Sequence, residues 1–184
     1  MFRARKKRPI LTYGHPGLIQ PPEAVKNVDQ EIREIVQEMF AVMYAAPGVG
    51  LAAPQVNIHK QICVIGFDEG MEQIELALIN PRITSSFGEE VNFDEGCLSF
   101  PGIHAQVMRP SGVTVEAIGL DEKPFILRAE GFLARVLQHE IDHLNGVLFI
   151  DRMVKQQRQQ IENALERLKE KSLKKFGLSQ DRKE

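Results

Sequence analysis

The sequence predicts an α+β fold, with mixed or antiparallel strands packed around a central helix and a further helix at the C-terminus. Three observations lead there. Segments rich in β-branched and apolar residues come in one run rather than alternating with helices. An amphipathic helical pattern precedes that run and a second one follows it. A long, highly charged helical segment then closes the chain. With 184 residues, 43% hydrophobic and 26% charged, the chain reads as one domain over residues 1–184, long enough for a substantial core. Residues 1–8 form a basic extension of that domain, and residues 151–176 its C-terminal helix.

Each element has its own signal. Residues 1–26 are rich in Pro and Gly and are expected to run irregularly. Asn27 or Asp29 can cap a helix, and Ile32, Ile35, Val36, Met39 and Met43 fall on one face of it before Pro47 and Gly48 end it. Residues 48–55 are too glycine-rich for a regular element. Strands are expected at Gln61–Phe67, Leu76–Asn80, Gly112–Ile118 and Phe125–Ala129. The second helix runs from Gly131 to Asn145, with Phe132, Val136, Leu137, Ile141 and Leu144 on its apolar side and Gly146 at its exit. From Asp151 onward, Val154, Ile161, Leu165 and Leu168 make a narrow stripe on a charged helix.

The net charge of −2 conceals an asymmetry. Residues 1–8 carry five basic side chains and no acidic one, residues 9–150 carry 8 basic and 19 acidic, and residues 151–184 carry 10 and 6. An acidic body with basic ends is not the electrostatic footprint of a nucleic-acid-binding domain. No apolar run approaches the roughly 20 residues that span a bilayer. The basic start is not followed by the apolar segment of a secretory signal. The expectation is therefore a cytoplasmic protein with no membrane contact, in which Cys63 and Cys97 stay free thiols.

Chemistry concentrates in Gln138-His139-Glu140-Ile141-Asp142-His143. On a helix, His139 and His143 lie one turn apart on one face and can grip a single metal ion, with Glu140 beside it to take a proton from water. The apolar neighbours bury this helix, so its polar groups need partners, and a metal serves two of them. Two imidazoles leave a divalent ion short of a third protein ligand. A third His six residues on is absent, because Phe149 stands there. Glu162 lies at the spacing some zinc proteases use, but in the charged terminal helix. Cys97, in Glu95-Gly96-Cys97-Leu98-Ser99, offers a thiolate suited to zinc or ferrous iron. Spacing prefers Cys97 only modestly and leaves Glu162 open. A buried structural cysteine is the competing reading of Cys97, as it is of Cys63.

Three separated motifs carry a resemblance to the peptide deformylases: Gly48-Val49-Gly50-Leu51-Ala52-Ala53-Pro54-Gln55, Glu95-Gly96-Cys97-Leu98-Ser99, and Gln138-His139-Glu140-Ile141-Asp142-His143. They stand in the family's order, and the likeness runs from about residue 9 to residue 152. The C-terminal helix is similar to that of the bacterial-type subgroup. The resemblance implies removal of the formyl group from N-formylmethionine at the start of nascent chains, releasing formate. It implies one divalent metal held by Cys97, His139 and His143, with Fe2+ the native ion and Zn2+, Ni2+ or Co2+ as substitutes. Glu140 becomes the catalytic base and acid, and Gln55 and the Leu98 N–H stabilise the oxyanion. The backbone around Val49, Gly50 and Gly96 binds peptide, and Phe132, Val136 and His139 form the methionine pocket. Glu95, Arg109 and Asp142 are expected around the ligands, Glu95 with Arg109 as an ion pair and Asp142 anchoring the helix. His104 stands where several relatives have an arginine, which leaves open how the downstream substrate is held. The basic C-terminal helix fits contact with the ribosome near the exit tunnel, and its apolar stripe equally fits packing onto the body.

Two further functions compete with this reading. A zinc endopeptidase would share the two histidines but take Glu162 rather than Cys97 as a ligand. A ribosome-associated adaptor would need only the basic helix.

Overall fold

Asp29 takes the capping position: its carboxylate accepts from the Ile32 N–H at 3.0 Å and starts helix α1, Gln30–Ala45. The computed structural model that shows this describes residues 8–178, so residues 1–7 of the basic extension lie outside the described residues. All five apolar residues expected on one face of α1 are buried, together with Val42. Four further strands follow a short first one in a meander: β1 (Gly50–Ala52), β2 (Ile62–Glu69), β3 (Glu72–Gly96), β4 (His104–Ile118) and β5 (Pro124–Glu130). They form one sheet in the order β1-β2-β3-β4-β5, antiparallel at every step. Helix α2, Gly131–Leu144, leaves β5 directly, and α3, Lys155–Phe176, ends the described chain.

Strand β2 explains how the layers meet. Its side chains alternate between two cores. Ile62 and Val64 join α1, while Cys63 and Ile65 join α2. Both faces of the strand are therefore dry, which is why QICVIGF reads as a continuous apolar run. Helix α2 packs Val136, Leu137, Ile141 and Leu144 against Val113, Val115 and Ala129 of the sheet. A third core joins Phe100, Val107, Phe149 and Leu165, and it seats α3 on the body.

The structure departs from the expected elements in three places. Residues Gly50–Ala52 are strand, not loop, because every residue of the short segment is buried and ladders onto β2. The expected strands Leu76–Asn80 and Gly112–Ile118 are only the inner parts of β3 and β4. The outer parts form a long hairpin with register shifts near Pro81, Thr84 and Gly88, where Asn80 and Gly88 take positive φ of 51° and 78°. Along β3 the outer stretch is mostly exposed and polar and leaves a sequence pattern little to catch, whereas the outer part of β4 alternates, with Ala105, Val107 and Arg109 buried. Finally, a single 3-10 turn, Phe149–Asp151, precedes α3, which starts at Lys155. Val154 is 61% exposed at its N-cap, whereas Ile161, Leu165 and Leu168 do pack on the body. The hairpin matters for the site, since its far end delivers Glu95 and Gly96 and the turn beyond it carries Cys97.

Candidate metal centre and its cavity

His139 and His143 sit one turn apart on α2, with ring centroids 5.1 Å apart. Cys97 reaches them from the β3–β4 turn, placing Sγ 3.3 Å from His143 Nε2. One donor atom from each of Cys97, His139 and His143 lies within 4.8 Å of the others. Zinc–sulfur and zinc–nitrogen bonds of about 2.3 and 2.0 Å at a tetrahedral angle separate two such donors by roughly 3.5 Å. The observed spacing therefore fits two ligands on one ion. The donor set, one thiolate and two imidazoles, suits zinc or ferrous iron. Glu162 is exposed on α3 and outside this cluster.

The ring of His139 is fixed from behind, since its Nδ1 lies 2.9 Å from Glu95 Oε2. That leaves Nε2 for the cluster. Glu95 is the hub of a buried ionic network. Arg109 meets it through Nε and Nη2 at 2.7 and 3.0 Å and reaches Asp142 through Nη1 at 2.6 Å. Arg152 grips Asp142 from the other side at 2.6 Å. Burial pushes the Glu95 carboxyl up, but hydrogen bonds from His139 and Arg109 and the Arg109 charge outweigh it and hold it at about 2. Burial pushes His139 down, yet its bonds to Cys97 and Glu95 raise it to about 10. A proton and a metal ion thus compete for the same nitrogen. His143 is pushed well down by burial and by the charges of His139 and Arg109.

Glu140 stands beside the donors, 4% exposed, with Oε2 lacking a hydrogen-bond partner among the described residues. Burial raises its carboxyl to about 7, against the pull of His139 and Arg109. An unpartnered buried carboxylate is expensive unless something completes it, and a cation with its water does so. Gln55 lies on the opposite wall. Its Oε1 accepts from the Ala52 N–H at 2.8 Å, which points Nε2 at Ser99 Oγ (3.1 Å) and Cys97 Sγ (3.4 Å). The N-terminal segment ties these pieces together: Leu11 N–H donates to Gln55 O at 2.8 Å and Tyr13 N–H to Ser99 O at 2.9 Å.

A cavity of about 430 Å3 opens over the cluster. Val49, Gly50, Gln55, Glu95, Gly96, Cys97, Leu98, Phe132, Val136, His139 and Glu140, all singled out from sequence, line it. His143, Arg109 and Asp142 lie behind the wall, buried. Strand β1 forms one edge of the opening. Gly66 N–H donates to Val49 O at 2.9 Å, and Gly50 pairs opposite Ile65. In an antiparallel ladder this makes Gly50 a non-hydrogen-bonded pair, so its own N–H and C=O point to the open side. A Cβ at Gly50 would collide with the Glu140 carboxylate, so only glycine lets this edge lie over it.

Sequence reasoning missed Arg135, Arg152, Phe93 and Ser99. Arg135 lines the cavity and donates from Nη1 to Glu95 Oε1 at 3.0 Å and from Nη2 to Val91 O at 2.6 Å. It was signalled by its place one turn before His139, a charge on a face otherwise apolar. Phe93 approaches Phe132 from the outer hairpin at a tilt of 52°, with 6.2 Å between centroids. Nothing local in the sequence points to it.

The model of the polypeptide deformylase family matches residues 7–159. The chain belongs to this family. It is 45% identical over 159 residues to the peptide deformylase of Saccharophagus degradans, covering 86% of this chain and 92% of that protein. The crystal structure of a plant peptide deformylase superposes with a TM-score of 0.89 at 39% identity, covering 100% of this chain and 99% of that one. A peptide deformylase from Synechococcus elongatus in complex with actinonin superposes with a TM-score of 0.78 at 38% identity, over 97% and 92% of the two chains. The α+β fold expected from sequence is the fold of these deformylases. Family membership also makes the chain a metal-dependent hydrolase and removes the endopeptidase and adaptor readings.

Proposed function

We propose that this protein removes the formyl group from N-formylmethionine at the start of nascent polypeptides, releasing formate and a free amine. The observation that carries the reading is the convergence of Cys97, His139 and His143 within 4.8 Å, beside the buried Glu140 and under the open edge at Gly50. We assign Cys97, His139 and His143 as the ligands and ferrous iron as the native ion, with zinc, nickel or cobalt as substitutes. Bound there, the ion supplies Lewis acidity that brings the pKa of water toward about 7. No described helix is long and apolar enough to cross a membrane. We place the reaction in the cytoplasm. The basic excess of residues 151–184 supports contact of the C-terminal helix with the ribosome near its exit tunnel.

The residues divide the work as follows. Glu140 takes the proton of the attacking water and delivers it to the leaving amine nitrogen. The Gln55 Nε2–H and the Leu98 N–H donate to the carbonyl oxygen as charge builds on it, and losing one such donor costs about 3 kcal/mol. Gln55 suits this role because its amide is already oriented by Ala52. The N–H and C=O of Gly50, with the backbone of Val49 and Gly96, hold the peptide in extended form. Phe132 and Val136 enclose the methionine side chain, and Phe67 stacks edge-on to Phe132 at 5.0 Å to hold it in place. Glu95, Arg109 and Asp142 orient the ligands through the network described above. Backbone pairing ignores side chains, which suits an enzyme that meets many different N-termini.

The test is formate release from a short N-formylmethionyl peptide by protein purified without oxygen. Cys97→Ala is expected to lose both bound metal and turnover, because two imidazoles hold a divalent ion poorly. Full metal content in Cys97→Ala would sink the ligand assignment. A second substitution probes the edge. Gly50→Ala forces the Glu140 carboxylate aside, so kcat is expected to fall about a hundredfold with metal content unchanged.

A further inference from the structure

The methionine pocket has a cation in its wall. Arg135 stands on α2 next to Val136 and three residues after Phe132, lines the same cavity as both, and is 7% exposed. A guanidinium carries five N–H groups. Nη1 uses both of its own, on Glu95 Oε1 at 3.0 Å and Val107 O at 3.1 Å, and Nη2 uses one on Val91 O at 2.6 Å. The Nε–H and the second Nη2–H meet no acceptor among the described residues. At a side chain this buried, water or a ligand must complete them. The charge is also in excess. Glu95 is the one carboxylate that Arg135 meets among the described residues, and Arg109 and His139 already share it. Across the network two carboxylates, Glu95 and Asp142, face three guanidiniums, Arg109, Arg135 and Arg152. From the hairpin side the Phe93 ring lies 5.7 Å from Arg135 Cζ, and Phe93 in turn approaches Phe132, so the guanidinium is held beside two rings that line the cavity.

A thioether is a weak acceptor and leaves such donors poorly satisfied. Its first oxidation product, the sulfoxide, is polar and chiral, and its oxygen accepts well. We propose that Arg135 opens the methionine pocket to oxidised methionine, so that the enzyme also deformylates chains beginning with N-formylmethionine sulfoxide, whose sulfoxide oxygen accepts from the spare N–H groups of Arg135. The proposal rests on the deformylase reading and widens its substrate class. The bond broken is the same formamide C–N bond. Water supplies the added oxygen of formate and the hydrogen of the amine, and the sulfoxide leaves unchanged, so no oxidant or reductant takes part. A wholly apolar pocket would strand the sulfoxide oxygen, at a loss of about 10–100-fold.

Short formylated peptides that differ only in the first residue test it: methionine, its two sulfoxide epimers, and norleucine, which has a methylene in place of the sulfur. Formate release by the parent, Arg135→Leu and Arg135→Lys is read as a ratio to the methionine peptide, which cancels any shared loss of metal or fold. The parent is expected to turn over the better epimer with a kcat/KM within about tenfold of the methionine peptide, the difference lying in KM. Arg135→Leu should lower that ratio by a further 10–100-fold or about so, while the norleucine ratio stays within about twofold. Arg135→Lys keeps the charge but loses the planar fork, and its ratio should fall between the two, which keeps the contact measurable if leucine costs the fold. A residue that only clips α2 to the hairpin would depress every peptide together and leave the ratios unmoved. A parental ratio below about a tenth for both epimers, or a ratio unchanged by the substitutions, overturns the proposal and leaves the deformylase reading standing. No formate from the methionine peptide overturns both.

Discussion

Glu140→Gln is expected to lower kcat by about 10²–10⁴ while the protein keeps its full complement of metal. The substitution keeps the shape of the side chain, so it fits under the Gly50 edge where the carboxylate now sits. It leaves Cys97, His139 and His143 intact as donors. What it removes is a group able to accept a proton from water and return it to the leaving amine. Because Glu140 touches the reacting atoms and not the methionine pocket, KM should change little. The stability effect runs the other way from the activity effect. Burial raises the Glu140 carboxyl to about 7, so its ionised form is disfavoured in the fold and weakens it as pH rises from about 4.5 through 7. A neutral amide has no such dependence, and after chelation the variant should melt no lower than the parent at pH 8. Metal analysis, steady-state formate release and thermal unfolding on one preparation check all three expectations. Loss of metal with loss of kcat would instead make Glu140 part of the ligand set.

How legible was this site in the sequence? The ligands on α2 were legible because helical spacing fixes their geometry: four residues make one turn, whatever surrounds them. Glu140 followed for the same reason. Cys97 was different. Its distance to His143 is set by the β3–β4 hairpin, and no local pattern reports where a bent hairpin ends. Only the combination of three motifs pointed to it. The hairpin itself was half legible. Its inner strands lie on the core and show β-branched, apolar residues, whereas most of the outer part of β3 is exposed and the strand is interrupted at Asn80 and Gly88. Strand β1 was invisible because three residues are too few for a period and glycine argues against a strand. The partner of an ion pair is also a tertiary fact. Glu95 and Arg109 could be expected near the Cys97 loop, but that Arg135 and Arg152 complete the network depends on how α2 and the turn before α3 pack.

Arg109→Met is expected to destabilise the protein by about 3 kcal/mol, which for a domain of this size lowers the melting temperature by roughly 10 °C. Arg109 is 3% exposed and neutralises two buried carboxylates at once, Glu95 and Asp142. Methionine fills much of the volume, so the loss is electrostatic rather than a cavity. It is not larger because Arg135 still reaches Glu95 and Arg152 still reaches Asp142. The pH dependence separates this cause from simple packing. In the parent, Glu95 is held at about 2, below its ordinary 4.5. A carboxyl depressed in the fold contributes stability that is fully present above 4.5 and is lost as pH falls toward 2. The gap between parent and variant should therefore be widest above pH 4.5 and close on acidification, as measured by unfolding after chelation. A gap that stays constant down to pH 2 would assign the loss to packing. The network also reaches the metal. Glu95 holds His139 Nδ1, so a Glu95 carboxylate that has lost its strongest partner orients the imidazole less firmly. Groups in that position typically tune metal affinity by 10–100-fold, and Arg109→Met should release metal to a competing chelator faster than the parent. One buried arginine, touching neither metal nor substrate, thereby sets both how stable the fold is and how firmly it holds its ion.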